Sequence, residues 1–174
     1  MKKGFTVIEL MVVIGIIGVI VALAVPNFAS MQRKARIRAA TQTLTQDLRQ
    51  IRERALSTSI THTITFDTGT REYIVTSITP NGVLQNRYKL AQTTGGNIRF
   101  GCAIGVSGHP PEGWVDAPAG NGIDFLPNDI LEIDNRGGAN RGVIYITDEK
   151  DSYAIGVNSL GRVKIYRYGS GGWY

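Results

Sequence analysis

The chain has 174 residues, 43% of them hydrophobic, with 21 Gly, 6 Pro and a formal net charge of +5, which suits one domain plus an anchoring segment and excludes two full domains. Residues 32–57 carry seven basic side chains against Asp47 and Glu53, whereas residues 58–174 carry ten basic and eleven acidic ones, which excludes a head coated in positive charge for nucleic acid. The single cysteine, Cys102, excludes an intrachain disulfide and reads as a small buried apolar residue or a free thiol.

Residues 1–4 (Met-Lys-Lys-Gly) form a short positive leader. From Phe5 to Val25 the chain is apolar apart from Thr6 and Glu9, and as a helix this run spans roughly 32 Å, one bilayer core. Lys2 and Lys3 place the N-terminal end in the cytoplasm and the remainder across the membrane. An ordinary cleaved signal peptide competes with this reading, because Ala22-Leu23-Ala24 resembles a small-x-small cleavage site. Two features oppose it. The apolar run exceeds the usual h-region of about 7–15 residues, and Glu9 sits inside it, where a bare carboxylate costs about 2.5–3.5 kcal/mol. An intramembrane carboxylate marks a functional site whose partner has to be named.

The run Gly4-Phe5-Thr6-Val7-Ile8-Glu9-Leu10-Met11-Val12-Val13 resembles the prepilin N-terminal signature of type IV pilins and type II secretion pseudopilins. That resemblance implies cleavage by prepilin peptidase between Gly4 and Phe5, N-methylation of the new Phe5 amine, and retention of the apolar segment. After cleavage, Glu9 lies one helical turn from a cationic amine. In an assembled bundle, Glu9 of one subunit meets the Phe5 amine of its neighbour, which relieves two desolvated charges and sets the axial register.

Gly15, Gly18 and Ala22 line one small-residue face that lets helix backbones approach in lipid. Pro26 frees the Ala22 carbonyl and is expected to kink or loosen the helix near the membrane boundary. Beyond it, Ile37, Thr41, Leu44, Leu48, Ile51 and Ala55 follow a 4-3-4-3-4 spacing, one apolar stripe that packs on a head. Arg36, Arg38, Arg49, Arg52 and Arg54 lie mostly off the stripe and read as a solvated face, the early ones near anionic lipid. From Phe5 to Ser57 the helix is expected to be roughly 80 Å long.

After Ser57 the period changes to two. Strands are expected at Thr61–Phe66, Glu72–Ile78 and Val83–Leu90, with turns at Asp67–Thr70 and Pro80–Gly82. Residues 91–121 read as a long irregular segment with one short strand at Ile98–Ile104. Ile123–Phe125 opens a more regular end, followed by strands at Val143–Thr147, Tyr153–Val157 and Arg162–Tyr168, an antiparallel meander with a glycine-rich tail, Gly169–Tyr174. Three features of this layout, the strand-turn-strand around Phe66-Asp67-Thr68-Gly69, the strand Ile123-Asp124-Phe125 and the final Gly161-Arg162-Val163-Lys164, resemble the GspH/FimT minor pilins and pseudopilins. The fold class implied is α+β, a type IV pilin-like fold with a long N-terminal helix packed on an antiparallel β-sheet head. Its divisions are 1–4 leader, 5–25 transmembrane and assembly helix, 26–57 amphipathic continuation and 58–174 head. The disulfide-closed C-terminal loop frequent in major pilins is ruled out by the lone Cys102.

No enzymatic constellation is present. His62 alternates within a strand, His109 precedes two prolines, and nothing orients a Cys102–His109 pair. Asp129, Glu132 and Asp134 do not have the spacing of a calcium loop, and no metal or other cofactor is implied. The last strand carries Arg162, Lys164 and Arg167 beside Tyr166, Tyr168, Trp173 and Tyr174, a combination able to hold phosphates and stack bases. FimT-like proteins carry a Gly-Arg-x-Arg motif implicated in DNA binding, and Lys164 replaces its second arginine here, keeping the charge but losing the planar fork. Simple alternation, with Val163 and Ile165 inward and Arg162, Lys164 and Tyr166 outward, accounts for the same residues.

The sequence therefore reads as a minor pilin or pseudopilin of a type IV pilus or type II secretion pseudopilus. It is held by one pass in the bacterial inner membrane with a periplasmic head. Its expected partners are other pilins or pseudopilins, the prepilin peptidase and the assembly platform. The alternative is a DNA-binding minor pilin, and a third reading is a secreted β protein beginning at Val25.

Overall fold

The computed structural model describes residues 6–91, 97–114 and 120–174, and of residues 23–27 the backbone alone. Two compact units are distinguished, residues 1–35 and 36–174.

One helix, α1 (Val7–Thr58), contains the whole described N-terminal region, and its backbone remains helical through Pro26. The side chains on which the kink expected at Pro26 would turn lie outside the described residues. In the first unit the apolar side chains of Val7 to Val21 are exposed. Among the described residues no helix is long and apolar enough to cross a membrane. The expected transmembrane span, Phe5–Val25, is thus not recovered there, since both its ends lie outside the described side chains.

In the second unit the expected stripe is buried throughout: Ile37, Leu44, Leu48, Ile51 and Ala55, with Thr41 joining them. Thr41 and Thr45 tolerate this because each hydroxyl donates to the carbonyl one turn back, Ile37 O at 2.9 Å and Thr41 O at 2.8 Å, which satisfies a polar group inside an apolar face.

The head is two antiparallel sheets rather than one. The first has the order β3-β2-β1-β6, built from β1 (His62–Asp67), β2 (Glu72–Thr79), β3 (Gly82–Lys89) and β6 (Leu131–Ile133). The second has the order β10-β9-β8-β7-β4, from β4 (Arg99–Phe100), β7 (Gly142–Thr147), β8 (Ser152–Val157), β9 (Val163–Gly169) and β10 (Gly172–Trp173), with β5 (Ile123–Phe125) pairing β7. The turn expected at Asp67–Thr70 forms because the Asp67 carboxylate accepts the Gly69 and Thr70 amides, both at 3.0 Å, an Asx-type turn.

Further sequence expectations change. The strand expected at Ile98–Ile104 is reduced to Arg99–Phe100. The short strand β6 was not anticipated; it pairs with β1 through His62↔Ile133 and Ile64↔Leu131, partners too far apart in sequence for local periodicity to expose. The glycine-rich tail is not free either, because Trp173 pairs with Tyr168 across β10 and β9.

One core unites the stripe of α1 with the inner faces of both sheets, including Ile64, Tyr73 and Val75 from the first and Ile144, Ile146 and Ile155 from the second. Phe66 meets Phe100 edge-on at 5.7 Å and stacks on Phe125 at 6.3 Å, joining the sheets through aromatic contact. Behind the second sheet lies a smaller core of Val143, Tyr145, Ala154 and Tyr166, with Cys102 and Trp173 against it. Both faces of β7 and β8 are therefore covered, which is why these strands are apolar almost throughout. Tyr166, expected outward, is buried in that second core.

Leu48 is fully buried where α1 meets the head. Leu48→Ala is expected to cost about 2–5 kcal/mol, as large-to-small core changes do, read by denaturant unfolding followed by circular dichroism.

Candidate functional site

Two regions hold the residues singled out by the sequence. The first is the start of α1. Thr6 stands just outside the helix and Glu9 in its first turn. The Thr6 hydroxyl accepts the Glu9 amide at 3.3 Å. The Glu9 carboxylate accepts in return from the Thr6 amide at 2.9 Å and the Thr6 hydroxyl at 2.8 Å. This is a reciprocal capping box, which satisfies amides that the first helical turn leaves without partners. The Thr-x-x-Glu spacing was visible in the sequence and was the signal for it. The expected processing residues Gly4 and Phe5 lie outside the described residues. A Cβ built on Gly15 or Gly18 meets nothing within 4 Å, so both glycines present open backbone on an exposed apolar surface.

The second region is the C-terminal basic strand, which the fold takes apart. Lys164 and Tyr166 lie on one face of β9, with the ammonium 4.5 Å from the Tyr166 ring centroid. The Tyr166 hydroxyl donates to Glu112 Oε1 at 3.1 Å. Arg167 lies on the other face, by the two-residue alternation of a strand. It pairs with Asp151 at 3.7 Å and lines a cavity of about 390 Å³ with Arg38, Gln42 and Tyr153. Two of the aromatic residues expected to stack bases, Tyr168 and Trp173, pack on each other, while Tyr174 is exposed. Trp173 sits 5.4 Å from Tyr145 and 5.2 Å from Tyr168, and its Nε1 donates to Gly108 O at 3.1 Å.

Arg162 precedes the strand, in a tight turn held by Asn158, whose side-chain oxygen accepts the Leu160 and Arg162 amides, each at 3.0 Å. It lines a second recess, of about 410 Å³, together with Arg52, Asp134 and Arg136. Arg52 and Arg136 were not recognised as part of any site from sequence, since they come from the helix and from a turn far apart along the chain. The helical arginines are also more than a solvated face. Arg52 Nε donates to Gly137 O at 2.8 Å and Arg49 Nη2 to Val163 O at 3.3 Å. Gly161 sits where these parts meet. Its φ is +67°, and an added Cβ would fall 2.1 Å from Gly137 O and 2.8 Å from Arg52 Nε, so both conformation and space demand glycine.

The residues weighed for chemistry are placed elsewhere. Burial pushes the Cys102 thiol up to about 12, the opposite of what an activated thiolate needs, and His109 Nδ1 lies 2.7 Å from Pro110 O. His62 is buried opposite Ser77, its Nδ1 2.5 Å from the hydroxyl. Burial, reinforced by the Arg54 charge, holds its pKa below the usual histidine value. Asp129 accepts from Asn121 Nδ2 at 2.6 Å, Glu132 is exposed on β6, and Asp134 Oδ1 accepts the Arg136 and Gly138 amides at 2.8 Å each.

Residues 1–25 match the family described as prokaryotic N-terminal methylation motif. The chain opens with a prepilin-type motif. Over 35 residues it is 49% identical to the type IV major pilin protein PilA of Myxococcus xanthus (strain DK1622), an alignment covering 20% of this chain and 16% of that protein. The structure of the minor pseudopilin EpsH from the type 2 secretion system of Vibrio cholerae matches with a TM-score of 0.53 and 14% identity, over 78% of this chain and 99% of that one. A crystal structure of the same minor pseudopilin aligns with a TM-score of 0.48 and 15% identity, over 76% and 94% of the two chains. The fold is that of EpsH: a long N-terminal helix with antiparallel sheets, α+β.

Gly161→Ala is expected to destabilise the pseudopilin-like head by about 2 kcal/mol or more, through strain at positive φ together with overpacking. Denaturant unfolding measures it, and an unchanged midpoint would contradict the close contact with Gly137.

Proposed function

We propose that this protein is a minor pilin or pseudopilin, a structural subunit cleaved between Gly4 and Phe5 by prepilin peptidase and methylated on the Phe5 amine. Residues 5–25 then hold it by a single pass in the inner membrane, with the head periplasmic, until the assembly platform draws it into a filament of other pilins or pseudopilins. The observation that carries this reading is the start of α1. A helix whose apolar side chains are exposed from Val7 to Val21 needs lipid or other helices to cover them, and a carboxylate stands in its first turn.

Glu9 has two roles at two stages. In the isolated chain it caps its own helix through Thr6. In the filament it turns to the Phe5 amine of the neighbouring subunit, where low dielectric makes an unpaired charge costly and a paired one stabilising. Gly15 and Gly18, open on the helix surface, allow the close backbone approach that such a bundle requires.

Glu9→Gln separates the two roles, because glutamine also serves at the third position of a capping box but carries no charge. The variant is expected to be processed and membrane-inserted yet absent from filaments, as judged by cell fractionation and immunoblotting of sheared filaments. Incorporation at the level of the unsubstituted protein would remove Glu9 charge from the mechanism. Intact-mass spectrometry of the mature protein is expected to give a chain that starts at N-methylated Phe5. A start at Val25 would establish a cleaved signal peptide instead.

A further inference from the structure

The recess bounded by Arg52, Arg136 and Arg162 lies in the second unit, and its composition has its own logic. Three arginines line it from three elements: the helix, the 134–138 turn and the 158–162 turn. Its volume, about 410 Å³, is on the scale of a small-ligand site. The frame is rigid. Arg52 Nε holds the Gly137 carbonyl at 2.8 Å, Asp134 and Asn158 each close their own turn through backbone amides, and Gly161 lets the two turns touch.

Charge decides what such a frame attracts. The one acidic side chain in the wall, Asp134, already has Oδ1 committed to two amides. Among the described residues, no hydrogen bond or ion pair engages the guanidinium of Arg136 or of Arg162, and both side chains are exposed. Arg52 uses Nε on Gly137 and has only a distant contact with exposed Glu53, at 4.0 Å. Three arginines lining one recess concentrate positive charge there, and a bound oxyanion offsets that charge while accepting bidentate hydrogen bonds.

The ligand is small. A strand of nucleic acid needs a row of cations along its phosphates, yet Lys164 stacks over Tyr166 and Arg167 is paired with Asp151 on the opposite face of β9. Asp134 also opposes a second negative group beside the first. We propose that Arg52, Arg136 and Arg162 form a binding site for a single phosphate group, either inorganic phosphate or the terminal phosphate of a phosphomonoester. The site does not depend on the filament reading, since all its parts belong to the second unit, residues 36–174.

The test uses the full chain in nonionic detergent micelles, with inorganic phosphate titrated calorimetrically at constant ionic strength. Saturable binding is expected for the unsubstituted protein. Arg136→Gln and Arg162→Gln are each expected to weaken it about tenfold, the loss of one charge-assisted bond of about 1.5 kcal/mol, with unchanged circular dichroism because both residues are exposed. Lys150→Gln, the same charge change in the β7–β8 turn outside the recess, is expected to bind as the unsubstituted protein does. An oligonucleotide with and without a 5′-phosphate distinguishes the sources: binding that requires the end group supports a phosphomonoester. No saturable heat, equal weakening by Lys150→Gln, or oligonucleotide binding indifferent to the 5′-phosphate and to Arg136→Gln would each overturn the proposal.

Discussion

The structure of the head depends on burial of one face of α1. Ile37, Leu44, Leu48, Ile51 and Ala55 lie against the inner faces of both sheets. A sheet with one apolar face has to cover it. Here a single helix covers two sheets at once, with Phe66, Phe100 and Phe125 filling the seam. Each fully buried Leu or Ile on the stripe contributes about 1.5–3 kcal/mol relative to exposure, so a few side chains on the helix account for much of what keeps the head folded.

That arrangement also explains the positions of the polar groups. Thr41 and Thr45 return their hydroxyls to the helix backbone. Asp47, at the edge of the stripe, accepts from the buried Tyr73 hydroxyl. Burial, with Asp47 as acceptor beside it, drives the Tyr73 pKa far above its usual value, and the phenol stays neutral as a donor. Arg49 and Arg52 reach over the edge of the helix to carbonyls of the second half of the head. They tie the helix to the turn after β6 and to the start of β9, and Arg52 lines the same recess as Arg136 and Arg162.

The same helix has an opposite character in the first unit. Its apolar side chains are exposed, its glycines are open, and its one carboxylate is satisfied locally by Thr6. Such a surface is incomplete in water, and under the proposed cleavage between Gly4 and Phe5 a new amine would join the Glu9 carboxylate in the same stretch of chain. The head covers the helix along one stretch, and the prepilin-type start leaves its apolar side chains exposed along another.

By itself the sequence determined what local periodicity and local chemistry encode. The 4-3-4-3-4 stripe of α1, the hairpins at Asp67–Thr70 and around Asn81-Gly82, the turn at Asn158–Gly161 and the uninterrupted meander from Val143 to Tyr168 were all legible, because each depends on side chains a few residues apart. So was the prepilin-type start, including the Thr6–Glu9 spacing of a capping box. Tertiary structure alone decided the division into two sheets, through pairings such as Ile64↔Leu131, and the second core that takes Tyr166 inward. It also decided which cations share a surface, separating Lys164 from Arg167 and gathering Arg52, Arg136 and Arg162. The physical reason is the same in each case: alternation along a strand says which residues share a face, but only long-range packing determines what that face meets.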